Sequence, residues 1–361
     1  MRNEVLSGAI AIGLGVAVGV ALFVPFVAIS YRRRGGLTFG RFALWAAALV
    51  YFWAIWTYTL LPLPASGDFR CAGVNLDLAA FVGDLRAVHS LTDPAVLQLA
   101  LNVLLFMPLG FFLRVLGGRG VVVALLTGFA VSLVVETTQV TGVWGIYPCA
   151  YRVFDVDDLL MNTLGAVLGS LLALLLPTRL RGGREVDPSR PRPVTRGRRV
   201  LAMTCDGLGV MLLSATVALA TQVWLQYVVH DRAAVVAGDV AQTAGAVVPT
   251  AVWFVLILAT GRSLGDLAVE LRYIGGPVPT PLARLLRFAG GVGGYALLLQ
   301  LPTPWVLLAW LFAVVALVLA FTTRGSRGLP GILSGQRLVD AREQLVDTRE
   351  SVDEPRRQSA E

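Results

Sequence analysis

Residues 96–140 read VLQLALNVLLFMPLGFFLRVLGGRGVVVALLTGFAVSLVVETTQV, two long apolar runs parted by a short turn that holds Arg114 and Arg119. Each run is about as long as a helix must be to cross roughly 30 Å of hydrocarbon. A soluble core has no need of such lengths. Further runs of this kind are Val5–Tyr31, Phe42–Leu63, Leu159–Leu176, Ala202–Leu225, Ala244–Thr260, Phe288–Leu301 and Trp305–Thr322. With Val96–Leu113 and Val121–Val140 they predict nine transmembrane helices, an all-α polytopic membrane protein. A 56% hydrophobic content and a mean hydropathy of +0.72 agree with that class. Phe288–Leu301 is the weakest span. It is short and carries Gly290, Gly291, Gly293 and Gly294, so crossing and re-entrant paths both stay open.

The first run is too long for a signal-peptide core and ends in Arg32, Arg33 and Arg34, so it reads as a retained anchor. The thirty basic residues are all arginine. The absence of lysine excludes Walker-type phosphate loops and Schiff-base chemistry. A net charge of +7 is explained by topology before nucleic acid. With the N-terminus outside, all but five arginines (Arg2, Arg70, Arg86, Arg152 and Arg232) fall on the cytoplasmic side, which also holds the C-terminus. Thr178–Arg199 is rich in Arg, Pro and Gly and reads as a cytoplasmic linker between a five-span unit, residues 1–177, and a four-span unit, residues 200–339. The charged tail, residues 340–361, is expected to be disordered.

Polar residues inside the spans point to function, because an acid in hydrocarbon is costly unless it pairs or faces water. Glu136 and Gln139 share a helical face at the outer end of the fourth span. Arg152, Asp155, Asp157 and Asp158 open the fifth, Asn162 follows one turn later, and Asn102 lies in the outer half of the third. Asn102, Glu136, Gln139, Arg152, Asp155, Asp158 and Asn162 therefore form a candidate outer-facing binding cluster, with Arg152 as the expected partner of Glu136. Joining helices by hydrogen bonds is the plainer alternative. Cys71 and Cys149 fall in outer loops where oxidation is permitted, so a disulfide and two free thiols both remain open. Cys205 reads as a packing residue. His89 and His230 have no metal-like spacing, and neither a metal nor a cofactor is expected. The pairs Gly165/Gly169, Gly15/Gly19 and Gly290/Gly294 read as close-packing positions.

The blocks LNVLLFMPLGFFLR (101–114), VETTQ (135–139) and RVFDVDDLLMNTLGAVLG (152–169) resemble the VanZ-like family over about Phe42 to Pro177. That family includes a member implicated in resistance to the glycopeptide teicoplanin. An insert, TGVWGIYPCAY (141–151), departs from its pattern. In the second unit, RRVLAMTCDGLGVMLLS (198–214), GRSLGDLAVELRYIGG (261–276), ARLLR (283–287) and RGLPGILSGQRLV (327–339) resemble the RDD family of membrane proteins. Arg199 and Asp206 fit its first two signature positions, whereas Pro330 and Gly331 stand where a His-Asp pair is usual. The resemblances imply a bacterial envelope protein whose partners are membrane lipid and a lipid-linked wall precursor or amphiphilic antibiotic. A transporter, a membrane enzyme with Glu136 and Asp158 as acid and base, and a scaffold are the alternatives. No catalytic signature such as HExxH or a nucleophile elbow is present.

Overall fold

The computed structural model describes residues 2–61, 71–77, 93–178, 187 and 190–343. His89, the expected end of the second span at Leu63 and the tail beyond residue 343 lie outside the described residues. The chain forms two compact units, residues 1–19 with 38–184 and residues 20–37 with 185–361. This moves residues 20–37, expected in the first unit, into the second.

Unit 1 is built from the first part of α1 (Arg2–Arg34), then α2 (Phe39–Leu60), α3 (Pro94–Val115), α4 (Val121–Val140) and α5 (Val156–Leu172). Caps set the starts. Thr38 accepts the Arg41 N–H at the head of α2, and Asp155 accepts the Asp157 N–H at 2.9 Å at the head of α5. Asp157 and Asp158 in the first turn of α5 complement its dipole. α3 and α5 pack backbone on backbone. A Cβ placed on Gly165 or Gly169 would stand 2.2 Å from Val103 O or 1.7 Å from Met107 O. Only glycine tolerates that approach. A short parallel pair, β1 (Val74–Asn75) with β2 (Phe154–Asp155), and a Cys71–Cys149 disulfide tie the loop after α2 to the loop before α5.

Unit 2 comprises the end of α1, α6 (Arg196–Trp224), α7 (Asp239–Thr260), α8 (Leu264–Ala268), α9 (Thr280–Ala289), α10 (Val292–Leu298), α11 (Leu307–Thr322) and α12 (Gly328–Ser334). An antiparallel pair, β3 (Leu271–Ile274) with β4 (Arg337–Asp340), registers Leu271 against Asp340. Val27, Tyr31, Ala202, Cys205, Val269 and Leu271 make its core, so Cys205 is packed among apolar side chains.

Seven helices among the described residues are long and apolar enough to cross a membrane, in place of the nine expected. Phe288–Leu301 is not one helix: α9 ends at Ala289, the chain turns at Gly290–Gly291, and α10 has only seven residues. α11, with sixteen, falls short of a full span of about 20. Two boundaries also shift. The expected linker is structured at its end, since α6 begins at Arg196 and Arg192 N–H donates to Asp340. Asp340, expected to open a disordered tail, closes β4 and accepts the Arg198 guanidinium at 2.7 Å, because a buried cation requires a fixed anion.

Candidate functional site

The end of α4, the start of α5 and the first half of α3 converge at one end of unit 1. Glu136, 2% exposed, accepts the backbone N–H of Asp155 at 3.2 Å. Among the described residues no ion pair reaches it. Arg152, its expected partner, is exposed and donates to the Thr59 carbonyl at 3.0 Å, and Gln139 donates to the same carbonyl at 2.7 Å. One helix end thus takes the hydrogen bonds of both donors, and Arg152 acts on the acid through space without an ion pair. Asp158 accepts from Asn102 and Gln98 of α3. Asp155 combines its capping role with a contact from Asn75 at 3.4 Å. Asn162, one turn further along α5, is buried and donates to Ser132 of α4 at 2.9 Å, while its own carbonyl oxygen is buried without a partner.

These blocks, far apart in the chain and facing one another across α3, α4 and α5, are what the family comparison selects. Residues 42–177 match the VanZ/LLP1 family. The matched stretch of this VanZ/LLP1-like unit contains every residue of the cluster and both disulfide cysteines. Comparison with curated proteins and with solved structures gives no match.

The insert between the second and third blocks runs from a sharp turn to the disulfide. Gly142 adopts φ +62, and a Cβ there would stand 2.6 Å from the Cys149 and Tyr147 carbonyls. Val143 and Trp144 follow with positive φ, an uncommon conformation for β-branched and bulky side chains. The insert thereby places Tyr151 and Arg152 against the end of α2, through Leu60 O and Thr59 O.

Arg199 and Asp206 belong to a separate centre in unit 2, beyond the matched stretch, so the likeness to RDD proteins rests on its own residues. Arg199 pairs with Asp266 at 3.0 Å. Asp206, 7% exposed, accepts from Trp253 Nε1 at 3.0 Å, the Gly265 N–H at 2.8 Å and the Ser263 hydroxyl at 2.6 Å. Tyr273 lies under Arg199 and Arg287, with the guanidinium carbons 5.8 and 5.2 Å from its ring centroid. Sequence reasoning missed Asp266, Ser263, Trp253, Arg287, Arg198 and Asp340. One signal was present: Ser263 and Asp266 have capping-box spacing and form a capping box in the structure. His230 is exposed, and among the described residues no group of His, Cys, Asp and Glu is placed to hold a metal.

Proposed function

We propose that the VanZ/LLP1-like unit is an envelope-binding module whose Glu136–Asp155–Asp158 cluster takes the donor-rich polar part of an amphiphile at the outer membrane face, either a lipid-linked wall precursor or a glycopeptide antibiotic. The observation that carries this reading is Glu136: a buried carboxylate that accepts the Asp155 N–H and forms no ion pair among the described residues, the charge of Arg152 reaching it only through space. With Asp155 and Asp158 close by and Arg152 bonded to a carbonyl, the carboxylates of the cluster outnumber its one cation. Ammonium, hydroxyl and peptide N–H groups, which such ligands carry in number, complement it. The arginine distribution supports an outward position, and so does the disulfide, which belongs to the oxidising side of a membrane.

The test expresses the full chain and its Glu136→Gln and Glu136→Ala variants in a susceptible bacterium at equal membrane levels. Inhibitory concentrations of teicoplanin and vancomycin are then measured. The intact protein is expected to protect selectively against teicoplanin, and both substitutions to return that value to the empty-vector level. Protection that survives both substitutions would remove the cluster from the function. No protection by the intact chain would remove the antibiotic as ligand, and direct binding of a lipid-linked wall precursor would then decide what remains.

A further inference from the structure

Unit 2 encloses a cavity of about 170 Å³ that is separate from the Glu136 cluster. Arg199 and Asp206, near the start of α6, form its polar end, and Met203, Val292, Tyr295, Phe312, Ala313 and Ala316 line the rest together with Pro330 and four glycines. A smaller cavity of about 30 Å³ shares Arg199, Asp206, Gly291 and Pro330 with it and adds Asp266 and Arg287.

The acceptors of this centre are occupied. Asp206 accepts three hydrogen bonds, while Asp266 holds Arg199 and closes the capping box on Ser263. The donors are not. The Nε atoms of Arg199 and Arg287, both residues 6% exposed, are buried and have no acceptor. A Cβ at Gly328, another wall residue, would stand 3.9 Å from the Arg199 Nε, which sets that N–H at the cavity edge. Buried N–H groups are rarely left unpaired, so the cavity calls for an oxygen acceptor. Two guanidiniums and two carboxylates cancel in formal charge, so a neutral acceptor leaves no uncompensated charge inside. The walls call for hydrocarbon. Phe312, Ala313 and Ala316 are only half-buried, beside the exposed Val314 and Val315, so the α11 side is open to an acyl chain.

We propose that unit 2 binds a neutral ester lipid, with a carbonyl oxygen on the Arg199 guanidinium and the first part of an acyl chain against α11. The test reconstitutes the full chain in vesicles of a di-ether phosphatidylcholine, which has no ester carbonyl. Three photoactivatable probes with the same diazirine tail are added in turn: a diacylglycerol, its di-ether analogue and a free fatty acid. Crosslinks are mapped by peptide mass spectrometry. The diacylglycerol is expected to label the segments of Met203 and Phe312 about tenfold more than the ether analogue, the worth of one charge-assisted hydrogen bond. Arg199→Gln is expected to abolish the ester preference. Because that change strands Asp266, Gly207→Leu gives an independent arm. A Cβ at Gly207, an exposed residue on the cavity wall, meets nothing within 4 Å, so leucine there covers the cavity's mouth without a clash, and labelling is expected to fall with the melting temperature held. Equal labelling by ester and ether probes, preference for the fatty acid, or unchanged labelling of Gly207→Leu would each overturn the proposal. The first of these results is the one expected if water alone occupies the cavity.

Discussion

Gly169→Ala is the sharpest test of the close contact that sets Asn102 against Asp158. The added methyl would sit 1.7 Å from the Met107 carbonyl oxygen, whereas ordinary contact begins at 3.4 Å. The obstacle is backbone on a facing helix, so no rotamer change relieves it and α3 and α5 must part. A radial gap of 0.5–1 Å already forfeits about a quarter to a half of each contact's dispersion energy. Overpacking of this kind costs up to about 3 kcal/mol, against which alanine regains about 1 kcal/mol of helix propensity. The expected net loss is about 2 kcal/mol, read from reversible unfolding in detergent titrated with dodecyl sulfate. Gly110→Ala meets the Ala166 carbonyl oxygen at 1.7 Å on the same seam and should cost a similar amount. The double variant should fall short of the sum, because helices already parted for one methyl admit the other. Gly207→Ala, which meets nothing, is the control and should stabilise by about 0.5–1 kcal/mol. A Gly169→Ala protein as stable as the parent, or a strictly additive double variant, would refute the reasoning.

Two further outcomes concern β3 and the disulfide. Burial pushes the Tyr273 hydroxyl above its ordinary range, outweighing the pull of Arg199. The unfolded chain therefore ionises this group first, near pH 10, and the stability that it contributes is complete below that pH and lost as pH rises. Tyr273→Phe, which gives up the bond to Arg327 O at 2.8 Å and about 1 kcal/mol with it, should flatten the fall in melting temperature between pH 9 and 11. An unchanged slope would count against the burial argument. Cys149→Ala releases a loop closed over 78 residues and should cost about 2–4 kcal/mol, seen as a lower melting temperature that reductant reproduces in the parent. No shift in either would show that β1 and β2 hold the loop unaided.

Helices were legible because hydropathy is local: the run Val121–Val140 names its own helix to the residue. The convergence of Asn102, Glu136 and Asp158 was legible by depth, since residues at one height in neighbouring spans have few other places to go. Partner choice was not. Charge alone pairs Arg152 with Glu136, yet the guanidinium is drawn to the bare carbonyl of Thr59, and the terminus of α2 is unknown until the helix is seen to stop. The Arg198–Asp340 pair joins residues 142 apart, and Asp340 closes a strand of four residues, too short to carry a period. Asp266 was hidden in a segment whose arginines read as ordinary membrane-side charge.

The pairing of β3 with β4 is also a parity condition. Leu271–Ile274 follows α8, Arg337–Asp340 follows α12, and four consecutive partners hold them in register. Two strands that exchange backbone hydrogen bonds lie at the same face of a bilayer, so the chain between them makes an even number of traverses. α11 is one limb, sixteen residues and roughly 24 Å long. The other limb is therefore the broken path through Gly290–Gly291, α10 and the turns up to Val306, and whatever depth α11 descends this path must first climb. The glycine-rich segment is half of a there-and-back excursion, and the strands seal its base.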